Sequence, residues 1–214
     1  MSGTPLLCTA VLLFLCLSPL PAAVMITDAH GHNSGWSVSW EGAVRGLTVI
    51  DVDSNASTLT ISITKDFGPD EDDELPVAAI NFTQVLDDAN TVRRIIIQSE
   101  TIANHTDTCW TEFRWVLLPP GRVDFNTGLS SGWDVSPFTT KTYLTTSGYK
   151  ALVADGGTVP DGTNFTPSGN LVIDADLSAE DVHFAMKQIV VPEPTCLVLL
   201  GAGAAMLVRR RATR

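Results

Sequence analysis

The chain has 214 residues and a formal net charge of −11. The charge is uneven: positions 24–190 hold 23 Asp and Glu against 9 Lys and Arg, a net of −14, while four Arg fall in the last six residues. So acidic a body repels phosphate backbones and excludes nucleic acid as a partner, and its single cysteine, Cys109, excludes both an internal disulfide and a CxxC zinc pair.

The first element is apolar. Leu6 to Leu20 reads LLCTAVLLFLCLSPL, about the length of a signal-peptide core and short for a membrane span. Pro19 and Pro21 break a helix, and Ala22-Ala23 supply small residues of the kind signal peptidase accepts, which places cleavage between Ala23 and Val24. The segment before the apolar run, Met1 to Pro5, departs from the usual pattern in having no Lys or Arg. The expected partners of this segment are the Sec translocon and signal peptidase.

Period-two alternation dominates the body, 24–190. Trp36, Val38 and Trp40 alternate with Ser37 and Ser39; Leu59, Ile61 and Ile63 alternate with Thr and Ser; Thr111, Phe113, Trp115 and Leu117 alternate with Glu112 and Arg114. Further strands are expected over Leu47–Asp53, Val77–Phe82, Val92–Ser99, Tyr149–Ala154, Leu171–Ile173 and Val182–Val190. Turn chemistry separates them, at Asp53-Ser54-Asn55, Gly68-Pro69-Asp70, Pro119-Pro120-Gly121, Asp155-Gly156-Gly157, Pro160-Asp161-Gly162 and Pro167-Ser168-Gly169. Short helices are conceivable only around Phe82–Asn90 or Ala179–His183. Many short strands with Gly/Pro turns predict an all-β fold, a single β-sandwich or jelly-roll-like domain.

Candidate chemistry within the body is weak. Asp51-Val52-Asp53-Ser54-Asn55 opens like a calcium loop, but Ala56 and Ser62 stand where Gly and Glu are needed, so a strand end with an Asx turn is expected. Asp70-Glu71-Asp72-Asp73-Glu74 reads as a solvated acidic loop. Asp28, His30 and His32 form a D-x-H-x-H cluster with no second histidine pair, which reads as a polar terminus rather than a metal site. Glu112 and Asp124 could be imagined as glycosidase carboxylates, yet acidic residues are too plentiful for a pairing to mean much, and no G-x-S-x-G elbow accompanies the serines. Trp36, Trp40, Trp110, Trp115 and Trp133 are expected to fill a core, with sugar stacking as the rival use. No cofactor, metal or catalytic residue is expected.

The C-terminal segment carries the strongest signal. Val191, Pro192, Glu193 and Pro194 form a stiff, extended, non-helical stretch. Thr195, Cys196, Leu197, Val198, Leu199, Leu200, Gly201, Ala202, Gly203, Ala204, Ala205, Met206, Leu207 and Val208 follow as one apolar membrane helix, its uninterrupted core spanning about 20 Å at 1.5 Å per residue and so undersized for a ~30 Å hydrocarbon layer. Arg209, Arg210 and Arg211 are a cationic stop held on the cytoplasmic side, which leaves the body outside.

This tail, 191–214, resembles the PEP-CTERM sorting domain, also called the ice-binding protein C-terminal domain. The resemblance implies an exosortase, a membrane cysteine transpeptidase or protease, as partner, with Pro192-Glu193-Pro194 as its processing motif. It implies a chain transiently anchored in the inner membrane, then passed to the cell surface or the exopolysaccharide matrix. Within the body, Val92–Leu118, with its Asn104-His105-Thr106-Asp107 turn and Trp110-Thr111-Glu112-Phe113 strand, is similar to a segment found in many PEP-CTERM exoproteins and suggests a hairpin. The expected function is a non-catalytic structural or adhesive role; a carbohydrate-binding module acting on exopolysaccharide is the alternative, and a surface hydrolase a more distant one.

Overall fold

The computed structural model describes residues 23–69, 77–178 and 181–193. The apolar leader before Ala23, the acidic run 70–74, and Pro194 with the apolar and arginine segments beyond it lie outside the described residues. The described chain is all-β, with thirteen strands and no helix. They are β1 (Val24–Thr27), β2 (Asn33–Gly42), β3 (Val44–Asp53), β4 (Thr58–Phe67), β5 (Val77–Gln84), β6 (Arg94–Asn104), β7 (Trp110–Leu118), β8 (Val123–Phe125), β9 (Thr140–Thr145), β10 (Lys150–Val159), β11 (Asn164–Phe165), β12 (Ser168–Ala175) and β13 (His183–Pro192).

They build two sheets. Seven strands run in the order β1-β2-β5-β13-β7-β10-β9, and five in the order β3-β4-β6-β12-β8, with β11 paired to β6. The architecture is β-sandwich-like: the alternation read from sequence sends one row of side chains from each sheet into a shared core. Leu59, Ile61, Ile63 and Phe67 of β4 and Ile95, Ile97 and Ile102 of β6 are fully buried on one side, and Trp110, Phe113, Trp115 and Leu117 of β7 on the other. The aromatic rings meet edge-on, Phe67 against Trp110 with centroids 5.4 Å apart and Phe113 against Trp115 at 4.7 Å.

Three expectations need correction. The segment 92–118 is not a hairpin: β6 belongs to one sheet and β7 to the other, so residues 105–109 carry the chain across the sandwich. The physical reason lies in Asn104. Its buried side chain ties the crossing together, so the turn residues serve an inter-sheet connection. Around Phe82–Asn90 no helix forms; β5 continues to Gln84, and Asp87 caps a turn by accepting from the Asn90 amide at 3.0 Å. Asp155-Gly156-Gly157 is not a turn but an irregular stretch inside β10, where the register with β7 shifts between Asp155 and Val159. His183, at the end of the second helix candidate, begins β13.

One pairing is parallel. β4 and β6 run side by side from Thr58↔Arg94 to Phe67↔Asn104, because β5 returns through the opposite sheet between them. The sandwich therefore has two distinct ends. Phe67, Asn104, Trp110, Val159 and the C-terminal end of β13 gather at one; Gln84, Leu118 and the start of β13 gather at the other.

Candidate functional site

The tail-bearing end is built from the bottom up by hydrogen bonds. Asn104 is fully buried; its amide donates to the Thr108 and Val159 carbonyls, both at 2.9 Å. Its Oδ1 accepts from the Thr106 amide at 3.1 Å and the Thr106 hydroxyl at 2.7 Å. The Trp110 indole in turn donates to Thr106 Oγ1 at 2.9 Å. This knot presents the start of β7, against which β13 closes. Val191 pairs with Glu112, Pro192 with Trp110, and the Glu193 amide donates to the Cys109 carbonyl at 2.8 Å. The stretch expected to act as a sorting motif thus begins inside the sheet: the last strand runs two residues past the expected body boundary at Val190 and is extended at Val191 and Pro192. Cys109 is half-buried beside it, and burial, with the Glu193 carboxylate next, pushes the thiol up from its ordinary value, which makes it a poor nucleophile at neutral pH. At the other end of the body, Val24, the expected first residue after cleavage, is the first residue of β1.

The remaining candidates resolve as local structure. Asp53 Oδ1 accepts from the Asn55 and Ala56 amides at 2.9 and 3.0 Å, the Asx turn expected in place of a calcium loop. Asp28, His30 and His32 form the turn between β1 and β2 rather than a loose terminus. Burial pushes the Asp28 carboxyl up, but hydrogen bonds from the His32 amide and ring and from the His30 amide outweigh it and hold the group down at about 2. Among the described residues no three His, Cys, Asp or Glu side chains converge on a common metal position.

Glu112 and Asp124 are not brought together. Glu112, on β7, is paired with Arg114. Asp124, on β8 of the other sheet, is held by Lys150 at 2.8 Å. Lys150 lies opposite Leu117, five residues along β7 from Glu112, or about 17 Å at the rise of a strand. The tryptophans belong to the core: Trp36, Trp110, Trp115 and Trp133 are buried and Trp40 packs against them. No Trp, Tyr or Phe is exposed among the described residues. Two open depressions of about 670 and 600 Å³ share Gln84 and Asp181 at the end away from the tail; Asp87 and Asp88 line the first, while the second is mainly apolar, with Phe82, Leu118, Pro119 and Phe184 beside Asn81 and His183.

Sequence reasoning missed a polar cluster in the middle of the core. Lys65 and Glu100 form a fully buried ion pair, with Gln188 and Trp115 also bound to the carboxylate. The signal was present as polar residues on apolar faces, Lys65 between Ile63 and Phe67 on β4 and Gln188 between Met186 and Val190 on β13. Compared with family models, curated proteins and solved structures, the chain matches none.

Proposed function

We propose that this chain is an exported, non-catalytic surface or matrix protein whose body is delivered by its C-terminal tail. The observation that carries the reading is the tail itself: Val191-Pro192-Glu193-Pro194, an undersized apolar run and an arginine stop, in that order, behind a signal-peptide-like leader. β13 runs straight into Val191 and Pro192 without a linker, so a partner enzyme in the membrane meets the motif at the surface of a folded domain. On this reading the membrane helix spans Thr195 to Val208, the arginines stay in the cytoplasm, and an exosortase acts at 192–194.

The body's role is to occupy the extracellular layer. Its tryptophans and phenylalanines are spent on the core, which favours a structural or adhesive role over a glycan-stacking platform. The test is mass spectrometry of the mature C-terminus from host cells with and without the exosortase. With the enzyme, the recovered chain ends close to Pro192-Glu193-Pro194; without it, the Arg214 terminus persists in the membrane fraction. Full-length chain in the cytosol of wild-type cells would sink the reading.

A further inference from the structure

Lys65 on β4 and Glu100 on β6 are neighbours in one sheet, and each side chain has no solvent exposure. Lys65 Nζ touches Glu100 Oε1 directly. The same oxygen accepts from Gln188 Nε2 at 2.8 Å, and Oε2 accepts from the Trp115 indole at 2.7 Å. Gln188 and Trp115 are cross-strand partners in the opposing sheet, so the carboxyl group is held between the two layers. Trp115 is itself packed edge-on against Phe113 and Trp133.

As an ion pair this arrangement is poorly matched. An ammonium carries three N–H donors, and among the described residues Glu100 is the partner that Lys65 has. Leaving donors of a charged group without acceptors in an apolar core is expensive. Burial favours the uncharged amine, although Glu100 opposes it. A neutral amine beside a neutral carboxylic acid is the state from which condensation proceeds.

We propose that Lys65 and Glu100 are joined by an intramolecular amide bond, a covalent cross-link between β4 and β6 formed after the body folds. The proton passes from Nζ to Oε1. The Nζ lone pair then adds to Cδ, with the Trp115 N–H stabilising the charge that develops on Oε2. A second proton moves from Nζ to Oε1, the Cδ–Oε1 bond breaks, and water leaves. Oε2 becomes the amide oxygen and keeps its bond from Trp115. Two charges disappear from the core, three donors become one, and no oxidant or cofactor is consumed. The staple would close a loop containing β5 in a body whose one cysteine can form no internal disulfide.

Peptide mapping of the full chain decides the matter. Trypsin ordinarily releases 46–65 and 95–114 as separate peptides. With the amide, Lys65 is no longer a cleavage site, and 46–93 is recovered joined to 95–114 at a mass about 18 Da below their sum, one water lost. Free 46–65 falls at least about tenfold relative to chain denatured as it is synthesised, because the reaction requires the core. Lys65→Met releases free 95–114, and Trp115→Phe gives a mixture whose joined fraction grows with incubation. Full yields of both free peptides from folded wild-type chain would overturn the proposal, and that measurement needs no variant to fold.

Discussion

Asn104 holds the crossing between the sheets, and its removal gives a quantitative test of that role. Asn104→Ala deletes four hydrogen bonds. The one to the Val159 carbonyl is buried, and those with Thr106 and Thr108 are partly accessible to water. A buried acceptor left short of a donor costs about 1–3 kcal/mol, and each of the three half-exposed bonds about 0.5–1 kcal/mol, so the expected loss is about 2.5–6 kcal/mol. Asn104→Asp is the sharper perturbation, because shape is kept while the amide donors vanish. At pH 7 it places a carboxylate against the Thr108 and Val159 carbonyls, and its destabilisation should equal or exceed that of the alanine variant. The buried acid has a folded pKa above its unfolded one. Its destabilising effect is therefore full at high pH and shrinks as pH falls and the group protonates, when its O–H can donate to one carbonyl. Urea unfolding of the body at pH 7 and pH 4.5, at constant m-value, measures both. An alanine variant within about 0.5 kcal/mol of wild type, or an Asp variant as stable as wild type at pH 7, would refute the reasoning.

Four further outcomes are expected. Gly157→Ala should destabilise by about 1–3 kcal/mol in the same assay, because an added Cβ would lie 2.2 Å from the Pro137 carbonyl oxygen, whereas Gly121→Ala, with open space around it, should be within about 0.5 kcal/mol of wild type. Trp36→Phe should cost at least about 1 kcal/mol more than Trp133→Phe in thermal or urea unfolding, since the Trp36 indole donates to Val92 at 2.8 Å while the buried Trp133 indole has no partner among the described residues. Asp28 should titrate with a midpoint of about 2 by carboxyl NMR; its depressed pKa stabilises the β1–β2 turn above the ordinary aspartate range, and that contribution is lost as pH falls through the folded value, a loss that Asp28→Asn abolishes. The Glu193 amide should be protected in hydrogen exchange, and a post-proline endopeptidase should cut after Pro192 at least about tenfold more slowly in folded chain than in urea-unfolded chain, equal rates meaning that the strand end is not paired.

The parts of the fold that were legible in the sequence are those where one local rule decides. Alternation at Trp36–Trp40, Leu59–Ile63 and Phe113–Leu117 puts each set on a single face, and the structure buries each set apart from Trp40, which is half-buried against the core. β9 and β8 were not legible. β9, Thr140–Thr145, is an edge strand with little of its surface buried, so its sequence carries no apolar rhythm, and β8 is only three residues long. Nor was the destination of β7: a short polar stretch between two strands reads as a hairpin unless something reveals which sheet each strand joins. That information sits in the side chain of Asn104, whose partner Val159 is 55 residues away. The core cluster was missed for a similar reason. Lys65, Glu100 and Gln188 each look like an isolated polar position on an apolar strand, and only the packing of two sheets brings their head groups together.

The same geometry orders the surface on the proposed reading. β13 runs from His183 at one end of the sandwich to Pro192 at the other, ten residues or about 33 Å at the rise of a strand. A chain held by the segment after Glu193 therefore presents the opposite end outward: the turn of Asp28, His30 and His32, the 85–91 loop, and the depressions that share Gln84 and Asp181. Cys109 and the Asn104 knot face the anchor. Contact with other molecules of the layer then falls to this end, where exposed Val85 and Leu86 lie beside Asp87 and Asp88, and an adhesive role would work through aliphatic contacts, hydrogen bonds and cations rather than through aromatic stacking, since the tryptophan and phenylalanine rings are already committed to joining the two sheets.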